Sequence, residues 1–152
     1  LTVGEATGKK KRAEQVVEKL KKRLLHLKAR NDVKKKPRVL VIEWLDPIMV
    51  AGHWVPEMVN LAGGINLITK PGERSKYINI AQIIQSKPDI LVISPCGFDI
   101  QRTRKEMHLV DRIVKKLPKG VKIHLIDGNA YMTRPGPRVV DGIEQLYAMI
   151  KT

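Results

Sequence analysis

Apolar positions change rhythm along this chain, and each change marks an element. Ala13, Val16, Val17, Leu20, Leu24 and Leu27 recur at helical spacing. They predict one amphipathic helix from about Gly8 to Arg30, roughly 33 Å long at 1.5 Å per residue. Thr7-Gly8 is expected to open it, with the threonine hydroxyl capping free backbone N–H groups. Asn31 to Pro37 is a polar connector, and Lys36-Pro37 favours extended chain. Beyond it the apolar residues become continuous. Val39-Leu40-Val41-Ile42, within Arg38 to Glu43, suits a strand buried on both faces of a parallel sheet. Ile65 to Ile68, Ile90-Leu91-Val92-Ile93 and Val121 to Ile126 are three further strands.

Helices are expected between them. Pro56 sits in a first turn, where proline is tolerated, and Ala62-Gly63-Gly64 stops that helix after Leu61. Ile80, Ile83 and Ile84 mark a short helix ended by Lys87-Pro88. A longer one runs from about Ile100 to Leu117, with Met107, Val110, Ile113 and Val114 inward. The last runs from about Pro137 to Ile150, with Val140, Ile143, Leu146 and Tyr147 inward. Strands alternating with helices predict an α/β fold. It is expected to be a three-layer, Rossmann-like lobe with a mostly parallel central sheet, preceded by the long amphipathic helix.

Composition changes this picture in two places. The net charge of +14 is uneven: residues 1–36 hold 13 Lys/Arg against 4 Asp/Glu. These lysines are not interleaved with aromatics and no nucleic-acid-binding signature accompanies them, so the arm reads as the solvated face of a helix. No nucleic-acid partner is expected. Aromatics are scarce, and five of the six (Trp44, Trp54, Tyr77, Phe98 and Tyr131) fall in segments expected as loops after strands. In an open parallel sheet those strand ends form the rim that binds ligands. Flat apolar faces with a few polar groups suit a large, partly apolar small molecule. Cys96 is the only cysteine, so no internal disulfide forms. The start, Leu1-Thr2-Val3-Gly4, reads as a chain cut from something longer.

Three rim segments carry chemistry. The first is Glu43-Trp44-Leu45-Asp46-Pro47 followed by Gly52-His53-Trp54-Val55-Pro56-Glu57. Its rings offer stacking faces, and His53 can donate a hydrogen bond, coordinate a metal or simply cap a helix. The second, Ser94-Pro95-Cys96-Gly97-Phe98-Asp99, joins a buried strand to a helix N-terminus that can hold an oxygen. Cys96 there is either a nucleophile served by His53, His108 or His124, or a neutral lining thiol, the commoner case. The third runs from Asp127 to Arg138, where Asp127, Asn129, Tyr131 and Arg134 supply donors, acceptors and a ring. Arg134 can read amides or a phosphate. Walker, G-x-G-x-x-G, H-E-x-x-H and C-x-x-C patterns are absent from the sequence.

Taken in order, these segments, with Ala62-Gly63-Gly64 and Lys87-Pro88-Asp89, resemble the helical-backbone (class III) periplasmic binding proteins of ABC importers, nearest the cobalamin-binding branch. The resemblance covers essentially the whole chain. It implies two α/β lobes joined by a long helix, with ligand held between them and no enzymatic activity. Residues 1–36 would be the interlobe helix and connector. Residues 37–152 would be the C-terminal ligand-binding lobe, the N-terminal lobe lying upstream. The implied ligand is a cobalamin-like corrinoid; heme and iron–siderophores are other chelates of the same class. By position, the residues toward ligand are Trp44, Asp46, His53, Trp54, Tyr77, Cys96, Gly97, Phe98, Asn129, Tyr131 and Arg134, with Tyr77 over the corrin and His53 a candidate axial metal ligand. No other metal site is implied. The implied partner is an ABC permease dimer, in an extracytoplasmic location where membrane contact comes only through permease or anchor. Family members dock through a glutamate that corresponds here to Ala81; Glu57 and Glu73 are the candidate substitutes.

Overall fold

The computed structural model describes residues 1–30 and 35–152. The connector expected over residues 31–37 therefore lies in part outside the described residues. Two helices come first, α1 (Thr2–Ala6) and α2 (Lys10–Ala29). The strand β1 (Arg38–Leu45) leads into β2 (Ile48–Val50), α3 (Val55–Leu61), β3 (Ile65–Asn66) and β4 (Lys76–Tyr77). Next are α4 (Ile80–Ser86), β5 (Ile90–Ile93), α5 (Ile100–Lys105) and α6 (Met107–Val114). The chain ends with β6 (Lys122–Leu125), one π-helical turn (Gly128–Met132) and α7 (Val139–Lys151).

The strands form one sheet in the order β4-β2-β1-β5-β6, with β3 beside the start of β1. Pairing is parallel among β3, β1, β5 and β6. The β2 and β4 strands add an antiparallel wing. Val39 to Ile42 and Ile90 to Ile93 are all buried, because helices cover both faces. On one face Val39, Val41, Ile90 and Val92 meet Met58 and Val59 of α3, Ile143, Leu146 and Ile150 of α7, and Leu27 of α2. On the other, Leu40, Ile42, Leu91 and Ile93 meet Ile83 of α4 and Val110 and Ile113 of α6. The expected three-layer α/β arrangement is the one observed.

Several boundaries differ, each for a local reason. Thr7 does not cap the long helix. It closes α1, and its hydroxyl donates to the Val3 carbonyl at 2.8 Å. Helix α2 begins after Lys9, with no side-chain cap. Its apolar stripe reaches the core only through Leu24 and Leu27, while Val16 is 39% exposed. Arg23 fastens α2 to α7: its guanidinium bonds Asp141 and Glu144, and both carboxylates raise its pKa. The helix expected over Ile100–Leu117 is two, broken at Glu106. The strand expected over Ile65–Ile68 ends at Asn66, whose side-chain amide turns to donate to Leu67 and Thr69. The strands β2 and β4 are additions that periodicity over so few residues does not announce.

Candidate functional site

The carboxyl ends of β1, β5 and β6 bring all three rim segments to one edge. Hydrogen bonds between the segments fix their relative positions. The Trp54 indole donates to the Met132 carbonyl at 3.0 Å. The Gly97 N–H donates to the Thr133 hydroxyl at 3.2 Å, and the Asn129 N–H to the Phe98 carbonyl at 3.1 Å. The π-helical turn is capped by Asp127, whose carboxylate accepts from the Ala130 N–H at 2.7 Å. A Cβ at Gly128 would collide with the Pro95 carbonyl oxygen, so glycine is required where these two loops cross. Gly52 is confined in the same way by the backbone of residues 73–75. His53 follows at φ 56°, in the left-handed region. Its N–H donates to the Glu73 carbonyl at 2.6 Å, and its own carbonyl accepts from Gly72 at 2.8 Å.

Two hollows lie on this edge. The first, about 180 Å³, is lined by Val41, Glu43, Gly52, His53, Trp54, Ser94, Cys96 and Thr133, among others. Burial pushes the Glu43 carboxyl above the usual carboxylate range, while the Ser75 hydroxyl and the His53 ring pull it down. No ion pair to Glu43 exists among the described residues. Ser94 is 2% exposed and its hydroxyl has no hydrogen-bond partner there. The second hollow, about 240 Å³, is aromatic, lined by Trp44, Asp46, Pro95, Phe98, Arg102 and Glu106 with two leucines. Trp44 and Phe98 meet edge to face at 5.6 Å, and the Arg102 guanidinium lies 3.7 Å over the Phe98 ring. Both arrangements are attractive for a ring with a negative face and positive edge.

The expected site residues divide among these features. His53, Trp54 and Cys96 line the polar hollow; Trp44, Asp46 and Phe98 line the aromatic one. Gly97 is exposed between them at φ 74°. Trp44 and Tyr77 are not in loops. Trp44 is the next-to-last residue of β1, Tyr77 ends β4, and Met49 of β2 pairs with both. Cross-strand partners share a face, so the three form a row. Tyr77 is 67% exposed. Trp54 and Tyr131 are half-buried and pack on the core, which makes them partly structural. Asn129, Tyr131 and Arg134 line neither hollow, and Arg134 is exposed. Cys96 is exposed.

His108 and His124 also line neither hollow, so neither serves Cys96 as a base there. His124 has a buried Nε2 without a partner, and burial, helped by Lys122, lowers its pKa. No cluster of three His, Cys, Asp or Glu suited to a metal ion occurs among the described residues. Glu43 and Ser94 were not singled out as site residues from the sequence. Their signal was present, since each is the first polar residue after a four-residue aliphatic strand.

Three solved structures show how this fold is used elsewhere. An ABC transporter substrate-binding protein from Listeria monocytogenes EGD-e superposes with a TM-score of 0.80 at 19% identity, over 98% of this chain and 60% of its own. The periplasmic vitamin B12-binding protein BtuF of Vibrio cholerae gives 0.69 at 20% identity, over 86% of this chain and 50% of its own. The periplasmic heme-binding protein RhuT from Roseiflexus sp. RS-1 gives 0.76 at 22% identity, over 97% and 59%. This chain thus spans between half and three-fifths of the length of these structures. No curated protein matches it. These three proteins are described as binding an ABC-transported substrate, vitamin B12 and heme respectively. A family model described as periplasmic binding protein matches residues 1–118, and the chain belongs to that family.

Proposed function

We propose that this chain is one ligand-binding lobe of the solute-binding component of an ABC importer, and that its ligand is cobalamin or a related corrinoid. The observation that carries the reading is the aromatic hollow. Trp44 and Phe98 present ring surface at the carboxyl edge of a parallel sheet, and Tyr77 extends the row from an exposed position. Flat rings beside polar groups suit a flat macrocycle with polar edges. Affinity comes from buried area and from loops already held in place, with no covalent step.

Residues 1–36 act as the interlobe helix and connector, and residues 37–152 as the C-terminal lobe. The Arg23 links to α7 support a helix rigidly fixed to this lobe. The half-exposed stripe at Val16 supports a further partner for its N-terminal half. The second wall of the cleft then belongs to a lobe outside this chain. Asp46, His53, Cys96, Gly97, Asn129, Tyr131 and Arg134 complete the ligand face. His53, which lines the polar hollow, is the candidate to offer a ring nitrogen to a ligand-borne metal.

The partner is an ABC permease dimer, met outside the cytoplasm. Membrane contact comes through the permease or an anchor; among the described residues no helix is long and apolar enough to cross a membrane. Ala81 is exposed on α4 and carries no charge for docking. Glu73 is engaged by Lys76 at 2.8 Å and by the Lys70 N–H. Glu57, exposed in the first turn of α3, is the better-placed acid.

A second reading within the class is heme. Arg102 and the exposed Arg134 offer cations to carboxylates, and heme carries two. Titration with cobalamin, cobinamide and heme, followed by absorbance, separates the readings. Saturable corrinoid binding supports the first; heme binding without corrinoid binding replaces it with the second.

A further inference from the structure

The polar hollow beside His53 carries chemistry that an aromatic wall does not need. Its floor is the end of the two most buried strands. Glu43 continues Val41 on the face of β1 that turns toward α3, and Ser94 follows Ile93 of β5. A half-buried acid and a buried serine therefore line one hollow where aliphatic residues would pack at no cost. Ser94 keeps a hydroxyl with no partner, although buried hydroxyls are normally satisfied. Glu43 lines the same hollow, where burial disfavours its charged form and the Ser75 hydroxyl and the His53 ring offset that only in part. Buried polar groups left in this state lower stability. Both are complemented by one kind of guest, a group that gives N–H to the carboxylate and accepts O–H from the serine.

We infer that this hollow is a carboxamide subsite: Glu43 accepts from the ligand's N–H, Ser94 donates to its carbonyl, and a carboxylate in the same place is rejected. The size agrees. About 180 Å³ admits a short side arm and excludes a macrocycle, which would lie across the rim against the Trp44 and Phe98 rings. The inference rests on the proposed corrinoid reading for its natural ligand, because corrinoids carry peripheral amide arms where heme carries carboxylates. The discrimination itself belongs to Glu43 and holds for either macrocycle. A second carboxylate beside Glu43 meets like-charge repulsion in a half-buried place and leaves the acceptor unsatisfied.

Matched ligand pairs test this on the whole chain. Cobinamide is compared with a corrinoid in which one propionamide arm is hydrolysed to the acid, and heme diamide with heme. Within a pair that binds, the amide is expected to win by about tenfold. Glu43→Gln, whose side chain both donates and accepts, is expected to shrink that ratio to about threefold or less. Ser94→Ala is expected to weaken the amide ligand more than the acid. Thermal melts confirm that the variants fold, and the wild-type ratio needs no variant at all. Equal wild-type affinities within a pair, or a ratio unmoved by Glu43→Gln, overturn the subsite. Failure of both corrinoids while the heme pair binds overturns the corrinoid reading, and the heme pair then decides the subsite. Failure of both pairs overturns both.

Discussion

The two hollows share an edge of the sheet and differ in almost everything else. One is packed from rings and a guanidinium that satisfy each other: Trp44 on Phe98, Arg102 over Phe98. The other holds an acid that burial disfavours in its charged form and, among the described residues, a serine hydroxyl without a partner. A single strand supplies both. Glu43 and Trp44 are neighbours near the end of β1, where the pairing with β2 shifts register between Ile42 and Trp44. The aromatic hollow stabilises the lobe as it stands; the polar hollow is set up for something not yet there. Substitutions should therefore have opposite effects in the two.

The largest effect is expected from Phe98→Ala. This ring is 8% exposed and touches both Trp44 and Arg102. Its loss should cost about 3 kcal/mol and lower the melting temperature by roughly 6–12 °C. A melt unchanged by the substitution would break the claim that this side is preorganised. Trp44→Ala removes a half-buried ring from the same wall. It should cost about 1–2 kcal/mol of stability and weaken ligand binding by about tenfold.

Glu43→Gln should move the other way, raising stability by about 1 kcal/mol at pH 7, because it removes a charge that burial disfavours. The sign follows from the raised carboxyl pKa. The folded state holds that proton more tightly than the unfolded chain, so the cost of ionisation is full above the raised value. It fades as pH falls toward the ordinary 4.5 and is gone below it. The advantage of the glutamine variant should fade over the same range in chemical denaturation at a series of pH values. A variant less stable than wild type at pH 7 would mean that Glu43 is structural. The smallest effect on folding is expected from Tyr77→Ala. At 67% exposure it should change stability by less than about 0.5 kcal/mol. Binding should still weaken by about threefold; a titration unchanged by the substitution removes Tyr77 from the ligand face.

The layers of the fold were legible because burial on both faces writes itself as unbroken aliphatic runs. Val39 to Ile42 and Ile90 to Ile93 could be little else. The wing of β2 and β4 was not legible, since three residues and two residues give no period to read. The break at Glu106 was also hidden, because the apolar spacing of α6 continues that of α5 closely enough to suggest one helix. In the site, rings at strand ends drew notice and polar residues at strand ends did not. Trp44 and Phe98 stood out by scarcity, whereas Glu43 and Ser94 read as ordinary punctuation after a strand. Their meaning depends on burial and missing partners, which only the packed structure displays.

Hydrogen exchange with and without cobinamide tests the central claim, that the carboxyl edge of this sheet is the ligand face, most directly. Added protection is predicted at backbone amides of residues 43–54, 94–98 and 128–134, with α4 unchanged. Protection centred elsewhere, or none under saturating ligand, would contradict it.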